Sequence, residues 1–214
     1  MLTEDDLEQL CLGWFAEQGW EIHYGPDIAP DGSNPQRANY HDVFLTPVLN
    51  ACLQKINPHL PTDVFEQVIS RITRAESPDL IASNKAFHHW LLEGVPVQYR
   101  RDEELIHDHA LLVDFSQPQN NRFMVVNQMT ISGTKQPRRP DIICFINGIP
   151  LAVVELKSPV DDKVDIWDAY HQLQTYKDEI RDLFISNEAL IVSDGYLARV
   201  GSLTATEERF MPWK

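Results

Sequence analysis

The chain has 214 residues, 32 acidic against 18 basic, for a formal net charge of -14. A surplus of that sign repels a phosphate backbone, which argues against a domain that binds nucleic acid unaided. With 43% hydrophobic residues it is long enough for one substantial core, yet no apolar run approaches the roughly 18 residues of a membrane span.

Thr3 with Asp6 three residues on is a capping-box pattern for a first helix running to about 18. Leu7, Leu10, Cys11, Trp14 and Phe15 recur on it at helical spacing, and Gly19 is its stop. The acidic start MLTEDDLEQL lacks the basic-then-apolar layout of a secretory signal, and the expected setting is cytoplasmic. A short strand is expected over 20–24, then a loop over 25–36. Three helical patterns follow over about 43–55, 62–74 and 78–92, closed by Asn57-Pro58, Ser77-Pro78 and Gly94. Together, over about 41–94, they read as a helical insertion in the first half of the chain.

From Val97 the hydrophobic period changes to two, or to continuous apolar runs, which signals strands over 97–100, 109–115, 122–128, 141–146 and 151–156. A helix over about 164–177, a helical turn near 180–184 and strands over 189–192 and 197–200 complete the pattern. Cys11, Cys52 and Cys144 lie far apart in apolar contexts and read as buried thiols, not as a disulfide frame or zinc site. His107 and His109 alternate on a strand without a third ligand at a suggestive spacing, so a metal pair there is rejected. No repeat or low-complexity linker divides the chain. One mixed α/β domain over 1–214 is expected, with its sheet core at about 97–201.

The segment RRPDIICFINGIPLAVVELKSP, 138–159, carries the chemistry. Asp141 opens an apolar strand, Asn147-Gly148 is a hairpin signal, and the return strand ends in Glu155-Leu156-Lys157. Alternation puts Glu155 and Lys157 on one face and Leu156 on the other. Two carboxylates and a lysine are what metal-assisted hydrolysis of a phosphodiester requires. The acids hold a hard cation, and the lysine positions or deprotonates water or stabilises phosphate charge. Register imposes a condition. A plain two-residue turn pairs Ile146 with Ile149 and Asp141 with Val154, leaving the two carboxylates on opposite faces. A shared metal therefore demands a three-residue turn over 147–149, a bulge, or a bend near Pro140. Basic residues gather around the proposed site, at Lys135, Arg138, Arg139, Lys157 and Lys163.

Pro140-Asp141 followed by Glu155-Leu156-Lys157 resembles the PD-(D/E)-x-K nuclease superfamily. More narrowly, FMVVNQMTI (123–131), the 138–159 segment, DIWDAYHQLQTYK (165–177) and LIVSDGYLARVGSLTATEERFMPW (190–213) resemble the N-terminal part of the R (motor-endonuclease) subunit of Type I restriction-modification systems. The resemblance covers essentially the whole chain. It implies a restriction-endonuclease-like mixed β-sheet core flanked by helices, and a Mg2+- or Mn2+-dependent endonuclease acting on double-stranded DNA. Asp141, Glu155, the Leu156 carbonyl and a first-helix glutamate would hold metal, with Glu8 the best match against Glu4 and Glu17. Lys157 would join Asp141 and Glu155 in catalysis. Gln172 and Tyr176, in the family's Q-x-x-x-Y pattern, would position DNA, as would Arg138 and Arg139 beside the site. The resemblance also implies partners: modification (methyltransferase) and specificity subunits, and a C-terminal ATP-driven motor. No G-x-x-x-x-G-K-[ST] phosphate loop occurs in this sequence, so ATP would belong to that further region. The competing readings are a non-catalytic docking module joining motor to partner subunits, and a stand-alone repair or resolvase nuclease of the same superfamily.

Overall fold

The computed structural model describes residues 3–158 and 165–213. α1 (Glu4–Glu17) starts where its capping box closes. The Thr3 hydroxyl accepts the Asp6 N–H at 3.2 Å, and the Asp6 carboxylate accepts the Thr3 N–H at 2.9 Å. Gly19 ends the turn at φ +84. β1 (Glu21–Tyr24) leads through a long loop to α2 (Thr46–Ile56), α3 (Thr62–Ile72) and α4 (Leu80–Glu93), close to the three expected helices. β2 (Val95–Arg101) and β3 (Glu104–Ala110) form a hairpin, followed by β4 (Phe123–Asn127), β5 (Ile142–Ile146) and β6 (Ile149–Leu156). After α5 (Ile166–Glu179) come β7 (Ala189–Ser193), β8 (Ala198–Gly201) and β9 (Met211–Pro212).

The expected mixed sheet is present. Seven strands run in the order β1-β4-β5-β6-β7-β8-β9, with β1–β4 and β6–β7 parallel and the other pairs antiparallel. Its two faces are covered unequally. Ile143, Phe145 and Val153 pack into the main core with α2, α3, α4 and α5. Ile142, Cys144, Val154 and Leu156 form a smaller cluster with Leu7 and Leu12 of α1. Central strands buried on both faces explain the unbroken apolar runs that make this part of the sequence easy to read.

The strand expected over 109–115 is displaced: β3 ends at Ala110. The β2–β3 hairpin turns on Asp102 and Glu103, both left-handed at φ +49 and +69 in the convention of positive φ, with no Gly or Asn to announce it. The apolar run at 111–113 is irregular chain, with Leu112 and Val113 buried and Leu111 exposed, because asparagine side chains take the hydrogen bonds a strand partner would supply. Leu111 donates to the Asn57 carbonyl oxygen at 2.8 Å and accepts from the Asn57 amide at 2.9 Å. Among the described residues β2 and β3 pair only with one another, and β1 and β9 form the edges of the large sheet.

Asn147 ties the same segment to the β5–β6 turn. Its side chain is fully buried, donating to the Leu112 carbonyl and to the Asn121 amide oxygen, each at 2.9 Å, and accepting the Arg122 N–H at 2.8 Å. An exposed hairpin turn would need this residue only for its positive φ. Here it also satisfies buried backbone groups. Asn147→Gly keeps the left-handed turn and deletes the hydrogen bonds, so a loss of about 2–4 kcal/mol in unfolding free energy is expected by urea denaturation. A change below about 0.5 kcal/mol would show that only the backbone conformation matters.

Candidate active site

β5 and β6 meet at a two-residue turn, with Asn147 at φ +55 and Gly148 at φ +82, and Ile146 faces Ile149. Phe145 then faces Pro150, but Cys144 faces Ala152, so Leu151 is an extra residue in β6. This bulge is one of the departures the sequence argument requires. Beyond it Ile143 faces Val153 and Ile142 faces Val154, and the same register sets Asp141 beside Glu155. Both side chains then project from the face that α5 covers, while Leu156 points into the α1 cluster.

The two carboxylates are buried, Asp141 at 8% exposure and Glu155 at 0%. One Asp141 oxygen (Oδ2) accepts the Leu156 N–H at 2.7 Å. Glu155 Oε1 lies 3.4 Å from Lys157 Nζ, whereas its Oε2 is buried without a hydrogen-bond partner. Loss of water is the main cause that raises Asp141 to about 6, against the Leu156 hydrogen bond and the Lys157 charge. Burial, and then the Asp141 charge, push Glu155 well above the usual carboxylate range. Two desolvated acids side by side, one with an unsatisfied oxygen, fit a divalent cation. A positive charge held between them would offset both penalties. Among the described residues, no group of three acid, histidine or cysteine side chains is arranged to hold a metal ion.

Lys157 Nζ donates to Gln172 Oε1 at 2.8 Å, and Gln172 Nε2 donates to the Tyr176 hydroxyl at 2.5 Å. Gln172 and Tyr176 are one helical turn apart on α5, as the sequence spacing requires. Tyr176 is only 2% exposed and reaches the site through Gln172; burial is the main cause that raises its hydroxyl pKa. Arg138 is paired with Glu179, the last residue of α5, and Arg139 is exposed. Lys135 lies 3.7 Å from the same Glu179 carboxylate. Lys163 and the first residue of the expected α5 pattern, Val164, lie outside the described residues.

Of the first-helix glutamates, Glu8 is buried at 4% exposure, while Glu4 and Glu17 are exposed. Both Glu4 and Glu8 are near enough for their charge to bear on Asp141. Glu8 is held by Asn127 Nδ2, at 2.7 Å from Oε1, and by the Gln128 side-chain amide on Oε2. The sequence reading gives Asn127 and Gln128 no role. Their signal is nonetheless present in FMVVNQMTI: an apolar strand that ends in two polar residues, as the next strand pair ends in Glu155 and Lys157.

A family model described as Type I restriction enzyme R protein N terminus matches residues 1–209. The chain is 42% identical over 215 residues to the Type I restriction enzyme HindI endonuclease subunit of Haemophilus influenzae, covering 100% of this chain and 20% of the relative. It is 30% identical over 217 residues to the putative type I restriction enzyme MjaIXP endonuclease subunit of Methanocaldococcus jannaschii, again 100% and 20%. The chain belongs to the Type I restriction enzyme R protein N-terminal family, and spans about a fifth of the length of these relatives.

Burying ionisable acids makes metal-free stability depend on pH. Asp141, raised from 3.8 to about 6, holds its proton more tightly in the folded chain than in the unfolded one. Its contribution therefore favours folding below 3.8, is lost as pH rises to about 6, and stays lost above. That shift corresponds to about 3 kcal/mol at most. In chelator at pH 8, Asp141→Asn should melt higher than wild type by on the order of 5 °C, with the gap closing near pH 4. A variant less stable than wild type at pH 8 would contradict the desolvation argument.

Proposed function

We propose that this chain is the nuclease module of a Type I restriction subunit, hydrolysing phosphodiester bonds of double-stranded DNA with Mg2+ or Mn2+. The observation that carries the reading is the bulge at Leu151, which sets Asp141 beside Glu155 with one Glu155 oxygen unsatisfied. Asp141, Glu155 and the Leu156 carbonyl would hold the cation. When bound, the cation would neutralise phosphate charge and make water a better nucleophile.

The remaining chemistry falls to the protein's own side chains. Lys157 is mostly shielded from solvent and tethered by Glu155 and Gln172, so its ammonium is presented in one direction. There it is suited to orient water, to move a proton at Nζ, or to stabilise charge on the scissile phosphate. Gln172, fixed in turn by Tyr176, keeps that direction and offers a polar edge for the substrate strand. Exposed Arg139 is the readier phosphate contact; Arg138 would first have to leave Glu179.

A net charge of -14 makes unaided DNA binding weak, so the same proposal assigns DNA delivery to parts of a longer subunit. An ATP-driven motor, the modification and specificity subunits and a cytoplasmic setting belong to it as well. No helix among the described residues is long and apolar enough to cross a membrane. One observation favours the docking-module reading as an additional role. An apolar groove between α1 and the sheet is lined by Cys11, Phe15, Ile191 and the exposed rings of Trp14 and Trp213.

Calorimetric titration separates the two. Mg2+ or Mn2+ should bind wild type and fail to bind Asp141→Ala and Glu155→Ala, with folds intact by circular dichroism. A parallel titration with Ca2+ and a short duplex covers weak apo affinity. Lys157→Ala should retain metal yet lose about a thousandfold in cleavage when assayed in the full-length subunit with its partners. Metal binding unchanged by either carboxylate substitution would leave only the docking role.

A further inference from the structure

The clamp on Glu8 is built from two neutral amides on consecutive residues of one strand end. A lysine or arginine there would cancel the carboxylate's charge, whereas an amide fixes its position and leaves the charge in place. Both Glu8 oxygens are engaged, by Asn127 at 2.7 Å and by Gln128. The same two residues lie against the start of β5 and Asp141 just before it. Asn127 pairs with Ile142, and the Gln128 N–H donates to the Asp141 carbonyl at 3.0 Å. The position of Glu8 is thus coupled to that of Asp141 across one hydrogen-bonded pair.

Gln128 occupies the left-handed region at φ +55, a conformation that costs a non-glycine residue about 1–2 kcal/mol. Local packing holds it there. Gly25 donates its N–H to the Asn127 carbonyl at 2.8 Å. It also lies so close that a Cβ would sit 2.5 Å from the Gln128 carbonyl oxygen. A strained residue braced on both sides, with its side chain on a buried acid beside the candidate site, is a built feature.

We propose that Asn127 and Gln128 are positioning residues which lock Glu8 as a third, outer negative charge for a divalent cation at Asp141 and Glu155. This rests on the metal-site reading above. Glu8 joins no three-residue metal cluster among the described residues, and with both oxygens engaged it acts through its charge. Gln128 links it to the site by geometry, holding Glu8 with its side chain and the Asp141 carbonyl with its backbone N–H.

Mn2+ binding to the protein, followed by electron paramagnetic resonance, tests this without any cleavage assay. Gln128→Met keeps size and removes only the amide; it should weaken Mn2+ binding about tenfold, as should Glu8→Gln. The double variant should be no weaker than Glu8→Gln alone, because the amide acts through Glu8. Additive losses, or wild-type affinity in Gln128→Met beside a weakened Glu8→Gln, would overturn the proposal while leaving the metal site standing. If Gln128→Met does not fold, Asn127→Ser provides the same cycle. Should Asp141→Asn and Glu155→Gln bind Mn2+ as wild type does, the metal-site reading itself fails, and the clamp with it.

Discussion

A β-strand alternates its side chains between two faces, so one residue of register decides whether two carboxylates meet or are separated by the sheet. In this chain that residue is Leu151. The Asn147-Gly148 turn fixes Ile146 against Ile149, and without the bulge the strands would carry Asp141 to Val154. With it, two acids from opposite sides of a hairpin share one face beneath α5, and the Lys157–Gln172–Tyr176 chain closes over them. The burial that lets the central strands pack on both faces also strips water from the acids. Destabilisation of the metal-free fold and readiness for a cation are consequences of the same arrangement.

The helical part of the molecule supports this hairpin from the far end. The β5–β6 turn is roofed by the start of α2, where the Leu45 N–H donates to the Gly148 carbonyl at 2.9 Å. Asn147 simultaneously fastens the irregular 111–122 segment beneath it. A turn buried in this way has little freedom to slip, which is what a register-dependent site needs. At the other end, α1 brings Glu8 to the strand ends from the opposite side of the sheet, and Asn127 and Gln128 meet it there.

Much of this is written locally in the sequence. The Thr3/Asp6 capping box, the Asn147-Gly148 turn and the double-faced apolar runs of β4 to β7 are short-range signals, and parity demands a longer turn, a bulge or a bend near Pro140 before Asp141 and Glu155 can meet; the bulge is the one present. Other features depend on contacts that sequence spacing does not encode. Asp102-Glu103 adopts a left-handed turn without glycine, so β3 lies earlier than its apolar neighbours suggest. Leu111, Leu112 and Val113 look like strand because they form an apolar run, yet Asn57 and Asn147, far off in the chain, supply hydrogen bonds to Leu111 and Leu112. Helical spacing cannot tell that Glu8 is buried and Glu4 exposed; the contacts that hold Glu8 come from Asn127 and Gln128, some 120 residues away. Arg138 beside Asp141 reads as a phosphate contact until the fold brings Glu179 to it.

A cation site assembled by the Leu151 bulge from Asp141 and Glu155 can be seen directly. Anomalous diffraction from crystals grown with Mn2+ tests it most directly. The expected peak lies within coordination distance of one oxygen of each acid, including the unsatisfied Glu155 Oε2, with the Leu156 carbonyl alongside. A difference map with the ammonium of Lys157 between the two acids, and manganese bound only elsewhere, would contradict it.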